Sequence, residues 1–214
     1  TPEDLSKFKI GDLNHIRVAY NRRFYSTIQA AKKFIADGET THARMELPEG
    51  VNIKGNYTSV LLNSAHGIDL LLYLFGDLEI INNSHFKNDC GRLVTLKSIN
   101  GDIVNLTMNW NSPSNFIINI EGGKKRLEIK PFEDSQLYKG MQVIEPSKEL
   151  PLRRYIPQEI ESISSYPNKN NLIKPGFLEQ ALEMKNILNG EDSKVSASLY
   201  DAYKVQKLLQ AILY

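Results

Sequence analysis

The spacing of hydrophobic residues changes along the chain, and these changes predict the order of its elements. His15–Asn21 combines β-branched and aromatic residues and predicts a strand. The stretch FYSTIQAAKKFIADG carries apolar residues at helical spacing and predicts a helix that ends at Gly38. Thr41–Leu47 predicts a second strand, and the polar stretch PEGVNIKGNYTS predicts a loop after it.

The most apolar segment is LLNSAHGIDLLLYLFGD, Leu61–Asp77. Serine is favoured at the start of helices, so the pattern predicts a helix that is capped by Ser64, runs to Phe75 and is closed by Gly76. Apolar residues occur nearly all round this helix, which predicts that it is buried on more than one side.

From Leu78 to Val143 the hydrophobic spacing shortens to a period of two. Six short strand candidates are separated by the turn sequences NDCG, NGD, NSPS and GGK. Val104–Trp110 alternates apolar and polar residues, which predicts an antiparallel sheet with one buried face. Packing on that face is favoured for Trp110 over a role as a platform for a sugar ring.

The last third of the chain predicts two different kinds of structure. Residues 145–176 are rich in proline and weakly apolar, and predict an irregular excursion across the surface. Residues 176–190 and 196–213 have helical spacing and predict two closing helices. The whole pattern predicts an α+β fold, a large sheet with helices packed on one face, and it shows no boundary that would divide residues 1–214 into two domains.

Composition narrows the functional class mainly by exclusion. The chain of 214 residues has a net charge of +1 and no basic stripe with interleaved aromatic residues, which argues against nucleic acid as a partner. No apolar run is long enough to span a membrane, and the N-terminal sequence does not predict a secretory signal. The single cysteine, Cys90, excludes a disulfide framework and predicts a buried or half-buried thiol in a reducing cytoplasm.

The chain lacks the common cofactor and metal motifs, but one polar pair on the apolar helix is a candidate site. No dinucleotide fingerprint, phosphate loop or zinc spacing is present. His66 falls in the first turn of the predicted helix, where the helix dipole disfavours imidazolium, so a neutral ring could accept a proton from a hydroxyl group. Asp69, one turn on, could orient that ring. The alternative, and the commoner case for such a pair, is that both residues cap, pack or bond nearby backbone.

Three separated segments resemble the C-terminal domain of the Gfo/Idh/MocA oxidoreductases. The segments are VAYNRRFYSTIQAAKKFIADG (Val18–Gly38), NSAHGIDLLLYLFGD (Asn63–Asp77) and SASLYDAYKVQKLLQAI (Ser196–Ile212). The first resembles the arginine-rich turn and helix that open the domain, the second its H-x-x-D helix, and the third its closing helix. Their order and spacing also fit, so the resemblance covers nearly the whole chain.

The resemblance implies a fold and an activity for the complete protein. The fold would be the dihydrodipicolinate-reductase-like domain, with a large, mostly antiparallel sheet whose open face makes a homo-oligomer. NAD or NADP would be bound mainly by a Rossmann domain that is absent from this chain, so no cofactor is expected here. The substrate would be a sugar or a nucleotide sugar, oxidised by hydride transfer at a carbinol carbon in a cytoplasmic enzyme, for example of polysaccharide biosynthesis.

The same resemblance implies roles for individual residues. His66 matches the family histidine near the reacting carbinol and would be catalytic. Substrate contacts are implied for Asn63, Asp69 and Arg23, a cofactor contact for Asn21, and no metal.

One departure from the family pattern supports a rival hypothesis. Leu62 occupies the position where the family commonly has an aspartate, and Asn63 could stand in for it. The second hypothesis is therefore a non-catalytic module that dimerises or binds through its sheet and has lost the chemistry.

Overall fold

A computed structural model describes residues 16–38, 40–49, 57–110, 112–166, 173–193 and 195–214. Its helices are α1 (Ser26–Ala36), α2 (Tyr57–Phe75), α3 (Phe177–Leu188) and α4 (Leu199–Leu213). Its strands are β1 (Thr40–Glu49), β2 (Leu78–His85), β3 (Gly91–Ser98), β4 (Ile103–Trp110), β5 (Ile117–Gly122), β6 (Lys125–Ile129), β7 (Asp134–Ile144) and β8 (Arg154–Ser164). Short 3-10 turns form at Asn21–Phe24 and Lys87–Asp89.

The strands form one sheet of eight, in the order β2-β3-β4-β1-β5-β6-β7-β8. Neighbouring strands are antiparallel except β1 and β4, which are parallel and central. A parallel pair needs a crossover, and the connection from β1 to β4 contains α2 and the β2–β3 hairpin. The predicted fold class, a mostly antiparallel sheet with helices on one face, is confirmed.

The buried face of the sheet carries the core and seats α2. Side chains at alternate positions of β1 and β4 are buried and in register, as Met45 with Leu106 and Leu47 with Met108 show. A Cβ built on Gly67 of α2 would lie 2.3 Å from a methyl carbon of Leu47. Glycine therefore leaves room for the Leu47 side chain against α2, and any larger residue at position 67 would require that side chain to move.

The prediction of a strand at His15–Asn21 was wrong for the described part of that stretch. Val18 makes only an isolated bridge with Ala197, and Asn21 opens the 3-10 turn. The β-branched and aromatic side chains pack instead against the helices, with Tyr20 buried in the core. His15 lies outside the described residues.

The predicted start of α2 at Ser64 was also wrong. The helix begins at Tyr57, and Ser64 is a buried interior residue whose hydroxyl donates to the carboxylate of Glu49 at 2.5 Å. Glu49 still belongs to β1, so the predicted loop starts later than expected, and residues 50–56 lie outside the described part. A serine in this sequence context is typical of a helix cap, but here the Ser64 hydroxyl is bonded to a side chain of another element. Gly76, with φ of +76°, does follow the helix end.

Two other predictions need correction. Residues 154–164 form β8, a regular strand antiparallel to β7, where an irregular excursion was expected. Pro157 is tolerated because β8 is an edge strand. Cys90 is exposed after the 3-10 turn, not buried. The helices α1, α3 and α4 were predicted correctly, and no helix among the described residues has the length and apolarity needed to cross a membrane.

Candidate functional site

The 3-10 turn at Asn21–Phe24 carries two adjacent arginines with different surroundings. Arg23 donates from Nε and Nη2 to both oxygens of Asp69, at 2.6 to 3.1 Å. Its Nη1 lies 3.6 Å from a carboxylate oxygen of Asp201, at the start of α4, and its guanidinium lies over the Tyr73 ring at 4.9 Å. The side chain of Arg23 thus joins the turn to α2 and α4.

Asp69 is engaged by this arginine and does not orient His66. Only 1% of Asp69 is exposed. Burial raises its pKa to about 6, and the hydrogen bonds and charge of Arg23 oppose that rise, so the carboxylate is ionised at neutral pH. The pair also raises the pKa of Arg23 against its own burial. The hydrogen bonds that Asp69 accepts come from the guanidinium of Arg23, and none comes from the imidazole of His66.

His66 lies well inside α2, partly buried, with its ring edge-on to the Tyr20 ring at a centroid distance of 5.5 Å. Its Nδ1 is buried and has no hydrogen-bond partner among the described residues. Burial, together with the positive charges of Arg22 and Lys174, lowers the pKa of His66 to about 4. The ring is neutral at pH 7 as predicted, but the helix dipole is not the reason, because His66 is not in the first turn.

Arg22 lies over two aromatic rings and is incompletely bonded. Its guanidinium carbon is 4.6 Å from the centre of the Phe116 ring and 5.6 Å from that of Phe132. Burial lowers its pKa, while a hydrogen bond with Tyr25 and the charges of Glu133 and Glu49 oppose this fall. Its Nη1 is buried without a hydrogen-bond partner in the described part of the chain.

Glu49 and Trp110 end the two parallel strands beside α2. They are in register, so both side chains point to the helix face of the sheet. Glu49 is 3% exposed and accepts hydrogen bonds from Ser64 and, at 3.0 Å, from Nδ2 of Asn63. The indole Nε1 of Trp110 is buried without a partner among the described residues, and Arg92 lies over its ring at 4.9 Å.

Asn21 is buried and holds the segment before α3 against the turn. Its Nδ2 donates to the carbonyl oxygen of Pro175 at 3.2 Å. A Cβ on Gly176 would lie 2.3 Å from the Asn21 carbonyl oxygen, so only glycine fits there. This contact places Lys174, one residue before Pro175, beside the arginine-rich turn.

The structure brings some of the predicted site residues together and separates others. His66 and Asn63 share one side of α2, a turn apart, at the end of β1. Arg23 and Asp69 are buried and bonded to each other. Asn21 is bonded to the backbone of Pro175.

The sequence did not predict three neighbours of His66, namely Tyr20, Arg22 and Lys174, or the role of Glu49, which bonds α2 one turn before His66. The RRF turn was recognised, but two adjacent arginines give no sign of which one faces inward. Glu49 fell in a stretch predicted as a loop. Within the described residues, no three His, Cys, Asp or Glu side chains are grouped to hold a metal.

Sequence comparison finds no matching protein-family profile and no matching curated protein. Solved structures do match in fold. The chain is 19% identical to a dehydrogenase (MviM) from Clostridium difficile, with a TM-score of 0.66 over 92% of this chain and 60% of that one. It is 18% identical to levoglucosan dehydrogenase in complex with NADH and levoglucosan, with a TM-score of 0.71 over 99% of this chain and 67% of that one.

A super-repressor mutant of Gal80p from Saccharomyces cerevisiae is 15% identical, with a TM-score of 0.68 over 99% of this chain and 65% of that one. The chain therefore spans about three fifths to two thirds of the length of these proteins. The likeness read from three sequence segments is confirmed at the level of fold: the chain has the fold of the C-terminal domain of Gfo/Idh/MocA-type oxidoreductases.

Proposed function

We propose that the chain is the substrate-binding domain of an NAD(P)-dependent oxidoreductase that acts on a sugar or nucleotide sugar. The observation that carries the proposal is a neutral, partly buried imidazole, His66, at the edge where β1 and β4 end. In oxidation of a carbinol, His66 accepts the hydroxyl proton while the carbon loses hydride. A bound nicotinamide supplies the hydride acceptor, and the sequence motifs for holding it are not in this chain.

The low pKa of His66 suits it to accept a proton only when the hydroxyl is itself being acidified. Loss of hydride makes the hydroxyl proton acidic as the carbonyl forms, so a weak base is sufficient late in the reaction. The positive charges of Arg22 and Lys174 near the ring help to keep it unprotonated. Tyr20 holds the ring by an edge-on contact.

The contacts of the other predicted residues support their implied roles to different degrees. Asn63 uses its Nδ2 on Glu49, which leaves its carbonyl oxygen as the group for a substrate contact. For Arg23 and Asp69, the buried ion pair supports a positioning role that holds α2 and α4 on the turn, ahead of direct substrate contact. A cofactor contact from Asn21 would require release of its bond to Pro175.

The fold neighbours support the cofactor and substrate class. Levoglucosan dehydrogenase was solved with NADH and levoglucosan, and also with NADH and L-sorbose. By this analogy the complete protein would use NAD or NADP in the cytoplasm, with polysaccharide biosynthesis as the predicted context. Exposed apolar side chains on β7 and β8 support the proposed homo-oligomer through the sheet: Met141, Val143, Tyr155, Ile156 and Ile160.

The test is hydride transfer by the full-length polypeptide across a panel of sugars and nucleotide sugars. We expect His66→Ala to lower kcat by roughly 10²- to 10⁴-fold, since it removes a general base. His85→Ala is the matched control, because His85 is exposed on β2 and should leave the rate unchanged. Equal rates for wild type and His66→Ala would reject the proposed base.

The second candidate is a non-catalytic module that binds or dimerises through its sheet. Two observations favour it: the likeness to a Gal80p repressor variant, and the exposed apolar side chains of β7 and β8. Sedimentation of wild type and Ile160→Glu separates sheet-mediated association from a monomer. Association that Ile160→Glu abolishes, together with no hydride transfer to NAD or NADP, would favour the module.

A further inference from the structure

Three of the buried polar atoms that have no hydrogen-bond partner among the described residues lie at one edge of the fold. Among the described residues, Nη1 of Arg22, Nδ1 of His66 and Nε1 of Trp110 are buried without a hydrogen bond. Trp110 ends β4 in register with Glu49, and Glu49 bonds to α2 one turn before His66, so the three groups border the same site. Buried polar groups in native proteins are nearly always bonded, and a bound ligand is a common partner for those that are not.

The carboxylates nearest to this edge are already occupied. Glu49 accepts from Ser64 and Asn63, and Asp69 accepts from Arg23. Glu133 acts on Arg22, but the two charges that shift the pKa of His66 are Arg22 and Lys174, and both are positive. The charged neighbours of the imidazole are therefore positive, and they offer hydrogen-bond donors rather than acceptors.

The fold holds the guanidinium of Arg22 and the backbone next to Lys174. Arg22 is fixed over the Phe116 and Phe132 rings. Lys174 is exposed, but the next residue is bonded to Asn21 in the same 3-10 turn that carries Arg22. A guanidinium and an ammonium on fixed backbone are a common arrangement for recognising a carboxylate or a phosphate.

We infer that the substrate carries an anionic group, a carboxylate or a phosphate, which Arg22 and Lys174 bind next to the carbinol presented to His66. This inference rests on the proposed function and narrows it, because a neutral sugar would leave the buried Nη1 of Arg22 without an anionic partner. An acidic sugar or a sugar phosphate is the class that fits.

The inference competes with another role for the same arginine. Arg22 could stabilise negative charge on the reacting oxygen, which every carbinol substrate develops. That role acts in the transition state, so it predicts an equal loss of kcat/KM for acidic and neutral sugars when Arg22 is replaced, and no loss of binding. Binding of an anionic substrate group predicts a loss confined to the acidic ones.

The experiment measures ligand binding to the full-length polypeptide without cofactor, by calorimetry, with three probes: glucose, glucuronate and glucose 6-phosphate. Glucuronate differs from glucose only in its carboxylate, and the phosphate arm distinguishes the two anion types. We expect one acid to bind at least about 10-fold more tightly than glucose. Equal binding of glucose and both acids, or no binding of either acid, overturns the inference.

Two variants and a control assign the effect to residues. Arg22→Gln should weaken binding of the acid about 10- to 100-fold and leave glucose unchanged. Lys174→Gln, at an exposed position where folding is not at risk, should weaken it about 2- to 10-fold. Arg44→Gln is the matched control, since Arg44 lies on β1, exposed and paired with Glu121, and it should change nothing. Unchanged binding of the acids by Arg22→Gln, or an equal loss for glucose and the acids, would overturn the inference.

Failure of the inference and failure of the proposed function give different results. Binding of an acid that depends on Arg22, without hydride transfer to NAD or NADP, would keep the anion site and reject the oxidoreductase. Hydride transfer at equal kcat/KM from glucose and glucuronate would keep the oxidoreductase and reject the anion site. A bound acid should also raise the pKa of His66, which NMR of the imidazole measures.

Discussion

Arg22 and Arg23 are adjacent in one 3-10 turn, yet they lie in two regions of opposite character. The region around Arg23 is closed, because its guanidinium is bonded to Asp69 and lies near Asp201. The region around Arg22 is open, because one buried nitrogen of Arg22 and one of His66 have no hydrogen-bond partner among the described residues. The difference teaches that a buried charge is structural where a carboxylate of the fold satisfies it, and that buried nitrogens which the fold leaves without a hydrogen bond mark a candidate functional site.

The closed region explains how the open one is held. The ion pair of Arg23 and Asp69 connects the turn to α2, one turn beyond His66. Asp201, which belongs to the capping box of α4, connects the same arginine to α4. Glu49 ties α2 to β1 one turn before His66. His66 is therefore fixed by polar contacts on both sides of it along the helix.

The largest expected effect tests the closed region. Arg23→Ala leaves Asp69 buried and unpaired, and should lower the free energy of unfolding by about 3–5 kcal/mol. Arg44→Ala breaks an exposed arginine–glutamate pair and should cost less than about 1 kcal/mol. Chemical denaturation of both variants measures the difference.

A double variant sharpens that test. Arg23→Met with Asp69→Leu removes both charges, so it should be more stable than Arg23→Ala alone. If Arg23→Ala cost no more than Arg44→Ala, the pair would not be the tie described above, and the contrast between the two regions would be lost.

A smaller effect is expected at Glu49. Glu49→Gln replaces an oxygen that accepts from Ser64 or Asn63 with an amide that donates, and should cost about 1–2 kcal/mol. Glu46→Gln is the control on the same strand and should stay within about 0.5 kcal/mol. Thermal or chemical unfolding measures both, and equal costs would show that Glu49 does not hold α2.

The smallest effect is a pH dependence from His66. Its pKa is about 4 in the folded chain and 6.5 in a model peptide, so between these values the unfolded chain binds more protons and stability falls as pH falls. The His66→Gln variant has no imidazole at this position, so it does not lose stability in this way as pH falls. Between pH 7 and pH 5 its stability relative to wild type should therefore rise by about 1 kcal/mol, allowing for the partial exposure of the ring.

Denaturation at the two pH values measures this double difference. A constant gap between wild type and His66→Gln would mean that His66 is not held neutral by its surroundings.

The sequence predicted elements whose hydrophobic pattern is local and complete. The helices α1, α3 and α4 and the strands β2 to β7 follow from spacing and turn residues alone. The sequence prediction failed where pairing or packing with another element determines the structure. Residues 15–21 have strand-forming side chains but find no neighbouring strand to pair with over their described length, and β8 forms because β7 offers it an edge.

The candidate site divides in the same way. The sequence by itself indicated His66, Asn63, Asp69 and the RRF turn, because those residue types at those spacings are recognisable. Only the tertiary structure decided that Asp69 belongs to Arg23, that Arg22 lies near His66, and that Glu49 bonds α2. The physical reason is that a pKa and a hydrogen-bond partner depend on burial and on side chains far apart in sequence, which no local pattern contains.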